Sequence, residues 1–100
     1  MGAEPLPIMV KYYRLTSGTM IEYQDGELVV INVETGFAAT GNKYAYEILQ
    51  LMDAPITIKD IIEEICKKYP ESQHSRVIKS VPSVIQWAIE RGIGEEVPSP

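Results

Sequence analysis

One hundred residues are enough for one domain, and a domain of that size buries roughly 65% of its unfolded surface. An apolar fraction of 45% and a charged fraction of 23% describe a globular chain, not a disordered one. The net charge of −5 argues against a nucleic-acid surface or an anionic-lipid surface, because both need clustered Lys and Arg. A single cysteine, Cys66, cannot form an internal disulfide and suits a reducing cytoplasm. The opening MGAEPLP has neither a basic region nor an apolar run, and no stretch approaches the ~18–20 apolar residues that span a membrane. The expected location is therefore the cytoplasm.

In chain order, residues 1–7 read as a flexible tail with two prolines and no periodicity. Ile8 to Leu15 is apolar and aromatic enough for a strand or a packed lead-in, with its register open. Thr16-Ser17-Gly18 is a turn. Thr19 to Tyr23 then reads as a strand, and Asp25-Gly26 is a two-residue hairpin signal that sets Tyr23 opposite Leu28 and Ile21 opposite Val30. Leu28 to Val33 is β-branched and apolar, as a buried strand requires. Glu34-Thr35-Gly36 has the length of a three-residue loop, with Gly36 free to take positive φ. Phe37 to Thr40 returns as a third short strand. The three strands, about 19–24, 27–33 and 37–40, make an antiparallel β-meander whose edge carries unpaired N–H and C=O groups.

The second half is helical. Asn42 can cap a first helix in which Ala45, Ile48, Leu49 and Met52 recur at spacings of three and four. Asp53-Ala54-Pro55 ends it, since the residue before proline avoids the α region. Thr57, three residues before Asp60, caps a second helix. There Ile58, Ile61, Ile62, Ile65, Cys66 and Tyr69 make one apolar stripe, while Glu63, Glu64, Lys67 and Lys68 face away. Gln73 to Ser75 reads as a link, and a third helix after it runs to about Arg91, with Gly92 as its stop. Pro82 inside it predicts a kink or a fresh start near Ser80. Residues 95–100 read as a C-terminal tail, leaving 8–94 as the domain.

Groups able to carry chemistry are few. His74 is the one histidine and lies in a polar link, so an exposed surface residue is expected. Cys66 sits on the apolar stripe as core filler. Glu63-Glu64 and Glu95-Glu96 are adjacent pairs whose side chains diverge, which suits solvated faces better than an acid/base dyad. There is no phosphate-cradling glycine loop, no Ser-His-Asp set, no CxxC and no metal-ligand spacing. These features predict a protein that is not an enzyme and has no cofactor, metal site or catalytic residue.

The layout predicted is α+β: a three-stranded antiparallel β-meander followed by three α-helices, winged-helix-like. Over Gly18 to Ile65 the chain resembles the PqqD-like peptide-binding domains, or RiPP recognition elements. It is most similar to the stand-alone leader-binding proteins of lasso-peptide biosynthesis. The residues that carry the resemblance are the hairpin Tyr23-Gln24-Asp25-Gly26-Glu27, the VVINVETG strand and turn, Tyr46-Glu47-Ile48-Leu49, Ala54-Pro55-Ile56-Thr57 and Lys68-Tyr69. Two departures stand out: Ala38-Ala39 where relatives usually carry aromatic residues, and Pro82 midway through the third helix.

That resemblance implies a non-catalytic peptide chaperone. The leader of a ribosomally made precursor would add as a strand to the third strand and lie against the third helix, with alternate side chains entering pockets. By position, the receiving strand is Phe37, Ala38, Ala39 and Thr40, and the helix wall comes from Lys79, Val81, Val84, Ile85, Ala88 and Arg91. Val81, Ile85 and Ala88 of that wall also read as plain core. Implied partners are the precursor leader and a separate processing enzyme, a lasso-peptide leader peptidase first and a radical-SAM maturase second, with no nucleic acid and no membrane. Two rivals come from other classes. A winged-helix DNA-binding domain would need more than Arg76, Lys79 and Arg91 on its recognition helix. A structural subunit would pair its open edge with a second copy.

Overall fold

The computed structural model describes residues 10–100; the expected tail at 1–7 and the start of the lead-in at Ile8 lie outside them. The elements in order are β1 (Tyr12–Leu15), β2 (Thr19–Gln24), β3 (Glu27–Asn32), β4 (Ala38–Gly41), α1 (Lys43–Leu51), α2 (Ile58–Cys66), α3 (His74–Glu90) and β5 (Gly94–Val97), with a single 3-10 turn at Glu71–Gln73 before α3. The fold is mixed α+β with three helices, as the sequence predicts; winged-helix-like describes it only loosely.

Strands β2, β3 and β4 form the antiparallel meander. Asp25 and Gly26 both take positive φ, 52° and 80°, as a tight hairpin turn requires, and the predicted pairs Tyr23–Leu28 and Ile21–Val30 are formed. Gly36, at φ 78°, turns β3 into β4. The Asn32 side chain, 2% exposed, organises that turn. Its Oδ1 accepts the N–H groups of Glu34 and Thr35, both at 2.9 Å, while its Nδ2 donates to the Ser17 carbonyl and the Thr19 hydroxyl. A buried carboxamide costs free energy unless its groups are paired, and here they are.

Asn42 and Thr57 cap α1 and α2 as predicted, accepting from the N–H groups of Ala45 and Asp60. Leu28 and Val30 from the sheet, Ile48, Leu49 and Met52 from α1, Ile61 and Ile65 from α2, and Val81 and Ala88 from α3 are all fully buried in one core. The expected fresh start near Ser80 is absent: α3 is continuous through Pro82. Pro82 lies on the exposed side, where the carbonyl it leaves unpaired can bond to water, while buried Val81 and Ile85 hold the helix to the core.

A second correction concerns the C-terminus. Residues Glu95–Val97, expected in a tail, belong to β5, which pairs antiparallel with β1. On its other edge β1 exchanges two hydrogen bonds with Ile56, at 2.8 and 3.0 Å. The acidic run EEV escaped the reading because its partner strand lies some eighty residues away and only tertiary contact selects it. At Gly94 a Cβ would stand 3.1 Å from the Ala88 Cβ and 3.3 Å from the Met52 Cε. Gly94→Val should therefore lower stability by about 1–3 kcal/mol through overpacking, read as a shift in the urea midpoint.

Candidate functional site

Among the described residues β4 is an edge strand, paired only with β3. The register Val30–Ala39 and Leu28–Gly41, with the Asn32 N–H donating to the Phe37 carbonyl at 2.8 Å, fixes which way each backbone group points. In an antiparallel pair the bonded residues alternate. Ala39 and Gly41 therefore turn their N–H and C=O groups toward β3, as Phe37 turns its carbonyl, while the Phe37 N–H donates to the Thr35 hydroxyl at 3.3 Å. Ala38 and Thr40 turn theirs outward, where no strand among the described residues meets them. Side chains alternate too: Phe37 and Ala39 pack against the core, whereas Ala38 and Thr40 are exposed.

Beside this edge runs a groove of about 390 Å³ between the end of β4 and α3. Thr40 and Gly41 form one wall; Ser83, Val84 and Trp87 form the other, with Tyr44 and Ala45 of α1 at the base. Gly41 permits the close approach, since a Cβ there would meet the Leu28 side chain at 3.2 Å. A second groove of about 650 Å³ adjoins it, sharing Asn42, Tyr44, Ser80 and Ser83 and continuing to Tyr69, Arg76 and Lys79. Where the two meet, Ser80 Oγ donates to the Arg76 carbonyl at 2.7 Å and lies 2.6 Å from the Tyr44 hydroxyl, which locks α1 to α3.

The structure divides the sequence-predicted helix wall. Val84 lines the first groove and Lys79 the second. Val81, Ile85 and Ala88 do not line either: they are 0%, 2% and 0% exposed, on the core side of α3. Arg91 stands past the helix end, 5.8 Å above the Trp87 ring and paired with Glu90. The reading missed Trp87, Ser83, Ser80 and Tyr44. A helix with a period of 3.6 places 80, 83, 84 and 87 on one face, so the spacing was available. What it lacked was knowledge of which face met β4.

His74 also departs from expectation. Half-buried, its Nε2 lies 2.9 Å from the carbonyls of both Cys66 and Tyr69, so that nitrogen carries the proton and caps the C-terminal end of α2. Cys66 packs partly buried against the core. Among the described residues no three His, Cys, Asp or Glu side chains gather as a metal site would need, and no helix is long and apolar enough to cross a membrane. Behind the second groove, the Tyr69 hydroxyl donates to Glu47 at 2.7 Å, and Lys68 pairs with the same carboxylate at 3.5 Å.

With this geometry, the family model for coenzyme PQQ synthesis protein D (PqqD) matches residues 27–93. The chain belongs to the PqqD family. Two solved structures share the PqqD-like fold. One is TbiB1 in complex with the TbiA(beta) leader peptide, with a TM-score of 0.70 at 15% identity, covering 86% of this chain and 99% of that one. The other is a lasso peptide synthetase B1 complexed with the leader peptide, with a TM-score of 0.66 at 16% identity, covering 86% of this chain and 98% of that one. No curated protein sequence matches.

In this PqqD-family chain, the bond to Glu47 pushes the Tyr69 hydroxyl up to about 12, with burial and the Glu47 charge adding to the shift. A folded-state value above the ordinary 10 means that the stabilisation is complete below pH ~10 and is lost as pH rises toward 12. Wild type should lose stability across that window, and Tyr69→Phe should flatten the loss, as followed by urea denaturation at stepped pH.

Proposed function

We propose that this PqqD-family chain is a non-catalytic carrier that binds the leader segment of a ribosomally made precursor peptide. The leader adds as a strand to the outer edge of β4 and is presented to a separate processing enzyme. The single observation that carries this reading is the open β4 edge, with the outward backbone groups of Ala38 and Thr40 set beside the groove of Tyr44, Val84 and Trp87. Strand addition draws affinity from main-chain hydrogen bonds and specificity from alternate side chains. A peptide residue on the face of Ala39 and Gly41 would enter that groove. Its neighbours, on the face of Ala38, would extend the exposed row Met20–Ile31–Ala38 across the sheet.

That both structural relatives are complexes with leader peptides supports the reading. That one of them is a lasso peptide synthetase B1 favours a leader peptidase as the enzyme served, while the PqqD match keeps a radical-SAM maturase as the second reading. A DNA-binding role is disfavoured by the charge of −5 and by an α3 whose exposed face carries only Arg76 and Lys79 between its ends.

The test is an amide-resolved NMR titration with the leader half of a precursor peptide encoded beside the gene. Shifts should concentrate at Ala38 to Thr40 and from Ser80 to Trp87. Ala38→Pro and Thr40→Pro, which remove outward N–H groups, should each weaken binding by about tenfold or more in a folded protein. Ala39→Pro should instead break the β3–β4 ladder and cost stability. Cys66→Ser should bind as wild type does. Shifts that avoid β4, or full affinity in both edge variants, would refute strand addition.

A further inference from the structure

The second groove differs from the first in charge. Its lining includes Arg76 and Lys79 and no carboxylate. In a chain with a net charge of −5, five of the nine Lys and Arg residues, Lys11, Arg14, Lys67, Lys68 and Arg91, pair with glutamates, whereas Lys43 and Lys59 stand apart from this groove. Among the described residues Arg76 and Lys79 form no ion pair. They stand three residues apart on α3, so their side chains are neighbours on one helix face. The one buried acid among the described residues, Glu47, is already committed to Tyr69 and Lys68. The Ser80 bond to the Arg76 carbonyl fixes the turn that bears both cations.

The geometry points to a carboxylate-reading subsite: Arg76 and Lys79 receive an Asp or Glu side chain of the same bound peptide, outside the segment paired with β4. This rests on the leader-binding reading and adds a requirement on the leader's sequence. The two grooves are continuous through Asn42, Tyr44, Ser80 and Ser83, so a chain leaving the β4 edge past Asn42 enters the cationic groove. Helical rise puts Lys79 and Arg76 roughly 7–12 Å along α3 from Val84. An extended peptide covers that in about two to four residues. The acidic residue therefore belongs about two to four positions from the residue seated against Val84. A charge pair at a half-open groove is worth up to about tenfold in affinity and is screened by salt.

The experiment is a double-mutant cycle between protein and peptide. The protein is wild type or the Arg76→Ala/Lys79→Ala variant, both positions being exposed; urea denaturation checks that the variant folds. The probe is the leader half of the precursor encoded beside the gene, used as it is and with every Asp and Glu replaced by Asn and Gln. Wild type should bind the acidic peptide about tenfold more tightly than the neutral one at low salt, with the gap closing as salt rises. The variant should bind both alike, at the affinity of wild type for the neutral peptide. Tight binding by wild type that ignores peptide charge, or an equal loss for both peptides in the variant, overturns the subsite and leaves leader binding standing. Failure of wild type to bind either peptide overturns leader binding itself, and the subsite with it.

Discussion

Leu28 and Val30 must be dry, and much of the molecule follows from that. They are the two fully buried residues of the central strand, and they press the sheet onto the helices. A strand's side chains alternate with period two, so burying these residues fixes the register of β3 against both neighbours; a one-residue slip would turn them into water. The register in turn fixes the parity of β4. It decides that Ala39 bonds inward to Val30 while Ala38 and Thr40 are left with free backbone groups. A core constraint thereby sets the hydrogen-bonding pattern of the β4 edge.

The strand's edge is also kept from closing on itself by chain economy. β4 is four residues long and is followed at once by the Asn42 cap, so α1 begins before another strand could fold back against it. The helix then crosses under the sheet and brings Tyr44 to the junction, where its hydroxyl meets Ser80. The groove beside the edge is thus held at its base by the α1–α3 bond at Tyr44, while the turn that Asn32 organises fixes the start of β4. A preorganised groove spares a ligand the cost of ordering its own binding site.

Small residues at Ala38 and Ala39 gain a meaning from this arrangement. Ala39 sits on the core side of the sheet and Ala38 on the solvent side, so the two differ in what they offer a ligand. Trp87 and Tyr44 supply the aromatic surface from the helices instead. The cost of Pro82 is likewise local. Lying on the water side of α3, it removes a bond that solvent can replace, and it leaves the buried ridge of Val77, Val81, Ile85 and Ala88 intact.

Local chemistry settled a good deal of this fold. The Asp25-Gly26 turn, the positive φ at Gly36, the Asn42 and Thr57 caps and the stripe of Ile61 and Ile65 all act over a few residues, and each was readable from the chain. So was the family, read from the order and spacing of these turns and caps. What the sequence could not carry is anything decided by which surfaces meet. The amphipathic pattern of α3 shows an apolar stripe but not which of its residues lie under the core and which beside β4. Hence Val81, Ile85 and Ala88 went inward, and Trp87, Ser83 and Ser80 came to the groove. The acidic Gly94–Val97 became a strand because β1 offered it a ladder and Ala88 and Met52 left room for Gly94. Local signals act through backbone geometry and are written residue by residue; long-range pairing is a competition among surfaces, and only the folded chain records its result.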